Sequence, residues 1–151
     1  MKDKTIDYVL RTTWLAVQKM YNEEAAKFES TMATGFTLLS IDPEEGTPST
    51  SLGPKMGMEA TSLSRILKTM EERGLIERRP NPNDGRSVLI HLTEFGREKR
   101  EYSRDRVIQF NETVREHVSD EKINNFYEVA EVINELISNK KIYNQKNSIE
   151  Q

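Results

Sequence analysis

Cysteine is absent from all 151 residues, which removes disulfides, thiol nucleophiles and thiol-based redox sensing. Two histidines without cysteine leave no zinc ligand set, so no metal is expected. No run approaches the ~20 apolar residues of a membrane span, and the first residues lack the apolar stretch of a signal peptide. The chain is therefore expected in the cytoplasm, away from membranes. Gly-rich phosphate loops, nucleophile–base pairs and metal-spaced clusters are also missing, and the carboxylates fall at helical i,i+4 spacing as salt-bridge partners. Neither enzymatic activity nor a cofactor is expected. Apolar residues are scarce at 35%, against 31% charged, in a chain of single-domain size, so part of the burial is left to a partner.

A formal net charge of −3 argues against nucleic-acid binding only if it is spread evenly. It is not. Positions 55–106 hold twelve Lys/Arg against nine Asp/Glu, leaving ten against sixteen elsewhere. The basic excess coincides with the most patterned stretch, 58–93. There Leu63, Ile66, Leu67 and Met70 recur at i, i+3, i+4 and i+7, one stripe of an α-helix. At 100° per residue Thr61, Arg65, Lys68 and Glu72 take the opposite face, with Ser62 and Ser64 on its flanks. Gly74 stands where a left-handed residue ends such a helix. Extended runs follow at 76–79 and 87–92, separated by Pro80-Asn81-Pro82-Asn83-Asp84-Gly85, a turn composition. Val88, Ile90 and Leu92 alternate with Leu89 and His91, giving the second strand one packed face, and Thr93 caps another helix. A helix with an exposed Ser/Thr/Arg/Lys face, followed by a hairpin carrying Arg78, Arg79 and Arg86, has the layout of a winged helix-turn-helix.

Flanking segments read as helices. Ile6, Leu10, Trp14, Val17, Tyr21, Ala25 and Phe28 mark a long one from Lys4 to about Phe28. Ser30 or Thr31 caps a second that carries Met32, Phe36, Leu38, Leu39 and Ile41. Between 49 and 57 a short helix is interrupted by Gly53-Pro54; a cap at Ser51 would start it late and bring Pro54 into its first turn. A charged helix runs from Glu94 to about His117, and Ser119 caps another with Ile123, Phe126, Tyr127, Ala130, Ile133, Leu136 and Ile137 as its seam. Two terminal seams with nothing to cover them suggest pairing about a two-fold axis. His91 and His117 read as structural. The fold class is mainly α with a small β-hairpin wing: a winged helix-turn-helix lobe at 32–93, dimerisation helices at 1–31 and 94–139, and a polar, frayed tail at 140–151.

Asp84-Gly85-Arg86-Ser87, leading to His91-Leu92-Thr93-Glu94-Phe95-Gly96 behind a helix ending in Met70-Glu71-Glu72-Arg73-Gly74-Leu75-Ile76, resembles the D-x-R-S wing and L-T-x-x-G of the multiple-antibiotic-resistance regulator (MarR) family of bacterial transcription factors. Most of the chain shares the resemblance; the Gly53-Pro54 break departs from the family's unbroken helix. The resemblance implies a homodimeric repressor on double-stranded DNA with a pseudo-palindromic operator. Thr61, Ser62, Ser64 and Arg65 would meet bases or phosphates, Lys68 phosphates, and Arg86 the minor groove, with Asp84 holding its neighbour by a hydrogen bond within the turn. It also implies a small, often aromatic effector. Trp14, Tyr21, Phe36 and Met56 lie on segments that such a cleft would use, with ordinary core packing as the alternative. The rival to DNA binding is a winged-helix protein-interaction module, which would carry an apolar or acidic exposed face in place of Thr61, Ser62, Arg65 and Lys68.

Overall fold

In the computed structural model, which describes residues 4–143, the apolar stripe of the central helix closes a core. The elements in order are α1 (Ile6–Ala26), α2 (Met32–Ser40), β1 (Thr47–Pro48), α3 (Ser49–Met56), α4 (Ala60–Glu72), β2 (Ile76–Pro80), β3 (Val88–Leu92), α5 (Glu94–His117) and α6 (Asp120–Ser138). Of the tail expected at 140–151, residues 144–151 lie outside the described range. The chain divides into two units, the first ending at Arg106 and the second beginning at Val107, so the division falls within α5.

In the first unit Leu63, Leu67 and Met70 of α4 are buried with Leu38, Ile41, Leu52, Leu75, Ile76, Ile90 and Leu92; Ile66, Met56, Met58 and Val88 pack around them. Full burial of such side chains stabilises by about 1.5–3 kcal/mol each, so α4 is held by packing more than by helix propensity. Its end follows from Gly74, at φ +74°, which lets the Leu75 amide reach back to the Met70 carbonyl at 2.9 Å. The sheet is antiparallel in the order β1-β3-β2. Ile76 opposes Leu92 and Arg78 opposes Ile90, which places both on the core side of β2, while Glu77 and Arg79 face the other way opposite His91 and Leu89. The strand β1 adds an edge that the two-strand expectation lacked, pairing Thr47 with Ile90.

Helix α3 corrects the expectation of a late start. It begins at Ser49 behind Pro48, and Pro54 lies inside it rather than in the first turn. The helix has only eight residues, so the hydrogen bond that Pro54 cannot donate would have gone to Thr50, an exposed residue whose carbonyl water can serve. Caps elsewhere match the residue types: Thr31 accepts from the Thr34 amide, Ser119 from Lys122, and Thr93 from Gly96.

Helix α1 has no buried residue. It is tied to α2 by the Tyr21–Phe36 ring contact and by the Asn22 side chain, which accepts from the Met32 amide at 2.9 Å. It is tied to the first half of α5 through Glu24. Its carboxylate accepts from Lys27 Nζ at 2.8 Å, the Tyr102 hydroxyl at 3.2 Å and Arg106 Nη1 at 3.4 Å, while Phe28 packs edge-on against Tyr102. The hydrogen bond from Lys27 is the main cause holding the Glu24 carboxyl below its usual range.

The second unit holds the rest of α5 and α6. Ile123 is buried in it, and Arg115 reaches Asp120 at 3.4 Å and the Tyr127 hydroxyl at 3.3 Å. His117 Nδ1 lies 2.8 Å from the Thr113 carbonyl, a contact along its own helix.

Candidate nucleic-acid interface

The α4 stripe that faces the core leaves the opposite side of the helix in water. Thr61, Ser62, Ser64, Arg65 and Lys68 are all exposed, as expected from their angular positions. Neither Arg65 nor Lys68 has an ion-pair partner among the described residues. The face thus presents two cations and three hydroxyls with unspent hydrogen-bonding capacity, the chemistry that reads base edges and phosphates.

The hairpin tip is organised by its own side chains. Asn81 Oδ1 accepts from the Asn83 amide at 3.0 Å, and Asn81 Nδ2 donates to Ser87 Oγ at 2.8 Å. Asp84 Oδ1 accepts from the Arg86 amide at 3.0 Å, and the Ser87 amide closes on the Asp84 carbonyl at 3.2 Å. Asp84 therefore acts on the backbone of Arg86 and leaves its guanidinium exposed and without an ion pair among the described residues. The aspartate is a brace in the turn rather than a donor towards a ligand, since an ionised carboxylate only accepts.

The other two hairpin arginines differ from Arg86. Arg78 Nε lies 3.3 Å from Glu71 Oε2 on the last turn of α4, and Arg79 donates from Nε to Glu77 Oε1 at 2.9 Å, with Nη2 on the same oxygen. The three arginines on the hairpin are therefore not one free basic patch. The signal was the Glu77–Arg79 spacing, because residues two apart share a strand face; the Arg78–Glu71 pair depends on tertiary packing.

Of the four candidate effector residues, Tyr21 and Phe36 meet with ring centroids 5.6 Å apart. Burial of its ring pushes the Tyr21 hydroxyl up from its usual range. Met56 packs on the core, and its sulfur accepts from the buried Thr37 hydroxyl at 3.5 Å. Trp14, two turns before Tyr21, is 47% exposed. The described residues include no cluster of three or more His, Asp or Glu able to hold a metal, and none of their helices is long and apolar enough to cross a membrane.

The MarR family model matches residues 31–88, the segment from the α2 cap to the start of β3. The Bacillus subtilis protein YdgJ, an uncharacterised HTH-type transcriptional regulator, is 34% identical over 71 residues, 47% of this chain and 43% of its own length. For the first curated relatives the match spans 43% to 60% of their lengths. Among solved structures, the S. aureus MepR–DNA complex superposes with TM-score 0.75 at 21% identity, covering 90% of this chain and 99% of the other. PcaV of Streptomyces coelicolor, in complex with its natural ligand, gives 0.74 at 18% identity, covering 89% and 98%. At such identities the likeness is one of fold, and it extends well beyond the segment that the family model matches. Motif, family model and fold point the same way: residues 31–88 match the MarR family model, and the fold is similar to that of MarR-family structures over most of the chain.

Proposed function

We propose that this protein is a DNA-binding transcriptional regulator, acting as a homodimeric repressor on a pseudo-palindromic operator. The observation that carries the reading is the α4 face. Thr61, Ser62, Ser64, Arg65 and Lys68 project into water, and Arg86 at the hairpin tip is exposed and has no ion pair among the described residues. In such a duplex complex α4 enters the major groove, where all four base pairs are distinguishable, and Arg86 enters the minor groove, whose narrow A·T-rich stretches concentrate negative potential. Asp84 sets the approach of Arg86 through the turn. The fold likeness to MepR bound to DNA agrees with this use of the surface.

What supports the homodimer is the set of uncovered apolar side chains on α1 and, separately, on α6. Trp14 is 47% exposed and Phe126 60%, more than an isolated helix surface in water favours. A small aromatic effector acting on the first unit near Tyr21, Phe36, Met56 and Trp14 completes the proposal, in keeping with the ligand-bound PcaV fold. Trp14 is the single tryptophan, so its emission reports binding nearby.

The test is affinity for duplex DNA as a function of salt, followed by selection of bound sequences from a random pool. Arg65→Ala should relax base preference, by about 1–3 kcal/mol of discrimination if its contact is bidentate. Arg86→Ala should keep preference at the central half-site positions, lower affinity, and flatten the salt slope by about one unit per phosphate charge no longer neutralised. Failure of the wild-type protein to bind any duplex at low salt overturns the reading.

A further inference from the structure

We infer that Glu71 and Glu77 limit affinity for DNA by holding Arg78 and Arg79 in ion pairs and so withholding two of the hairpin's three arginines from the phosphate backbone. The inference rests on the DNA-binding reading above. All four side chains are exposed, between 38% and 57%, so burial does not demand the pairs. An unpaired arginine at either position would be as available to a phosphate as Arg86 is. The two pairs are built differently. Glu77 and Arg79 share the outer face of the edge strand β2, two residues apart, whereas Arg78 reaches across from the inner face of β2 to the end of α4. Each carboxylate competes directly with a DNA phosphate for the same guanidinium.

The physical consequence concerns specificity. Sequence-independent binding comes from phosphate neutralisation, each contact adding about 0.9 to the slope of log affinity on log salt, whereas discrimination comes from base edges. Arg65 on α4 has no ion pair among the described residues and Arg86 would reach a groove, but Arg78 and Arg79 on the hairpin stem would add only backbone attraction. Pairing them internally lowers non-specific affinity and leaves base reading intact. Because that backbone attraction would act on operator and random DNA alike, the ratio between them stays with the base contacts of α4.

Removing a carboxylate should therefore strengthen binding to random duplex. Glu77→Gln, and separately Glu71→Gln, should bind random duplex more tightly than wild type at low salt. Each should steepen the salt slope by about two units for a dimer with two freed arginines. The advantage over wild type should shrink by about tenfold between 50 and 200 mM salt, as expected for two extra phosphate contacts. Arg79→Met in the Glu77→Gln background should return both affinity and slope to those of Arg79→Met alone, because there is then no cation to release. A gain that persists in the double variant marks simple loss of a negative charge and overturns the inference. So does a Glu77→Gln protein indistinguishable from wild type while the wild type binds DNA in a salt-dependent way; the DNA-binding reading would survive that result. Circular dichroism of each variant confirms that the lobe is folded, and absence of duplex binding by every protein at low salt overturns both readings together.

Discussion

The winged lobe and the terminal helices treat the same kind of sequence pattern in opposite ways. In α4 the i, i+3, i+4, i+7 stripe is covered: Leu63, Leu67 and Met70 lie between 0% and 4% exposed. In α1 an equally regular stripe has no buried member, and in α6 Ile123 is the one buried residue. Helical periodicity therefore identifies a face that needs covering without saying whether the same chain covers it. Where the chain does so, stability is local to the unit. Where it does not, the apolar side chains wait for another surface.

The sharpest way to break the covered side of this comparison is Gly96→Ala. A Cβ built there falls far inside contact distance of the Leu75 carbonyl oxygen, a backbone atom with no rotamer to move. The expected loss is about 4–5 kcal/mol or more, the exceptional range for one substitution, visible as an unfolded protein or a collapsed denaturation midpoint. Next comes Met70→Ala, at a site with 0% exposure. It should cost about 2–5 kcal/mol in urea unfolding, the range for truncating a buried large side chain. On the uncovered side, Phe126→Ser should leave the unfolding free energy of the winged lobe unchanged. In the proposed homodimer it should raise the dissociation constant by about tenfold or more, for the loss of a large apolar contact. Sedimentation equilibrium reads this, and an unaltered monomer–dimer constant would remove α6 from the interface.

The smallest effect is electrostatic. Because Glu24 has its carboxyl held low, its interactions stabilise the folded state fully above the ordinary value of 4.5 and are lost as pH falls below it through the folded value. Lys27 is shifted upward, first by the hydrogen bond to Glu24, so its share is present below 10.5 and lost as pH rises through the higher folded value. Glu24→Gln should flatten the acid limb of a melting-temperature profile below pH 4.5 and leave the Met70→Ala penalty unchanged.

Most of the lobe was legible because its signals are local. The α4 stripe, Gly74 at the helix end, the Thr93 cap and the Asp84 turn each rest on residues within a few positions of one another. What escaped depends on longer range. Strand β1 is two residues long and contains a proline, too short for any alternation; its position at the sheet edge is what permits Pro48 there. The start of α3 carries no local signal, because the helix begins behind Pro48 without a side-chain cap. Among the candidate site residues the exposed positions of α4 followed from angle alone. The difference between Arg86 and its neighbours Arg78 and Arg79 required knowing which carboxylates stand beside them.

Thr93 engages three backbone groups of the first unit. Its amide donates to the Leu75 carbonyl at 3.1 Å, its hydroxyl donates to the Gly74 carbonyl at 2.6 Å, and the same oxygen accepts from the Gly96 amide at 3.0 Å. One side chain therefore clamps the exit of α4 to the entry of α5, and the close approach at Gly96 leaves no slack between them. Turning the first turns of α5 against the end of α4 would have to break all three bonds at once. In deuterium exchange, the Leu75, Thr93 and Gly96 amides should share one protection factor, open only with the lobe itself, and outlast the fraying ends of every helix around them.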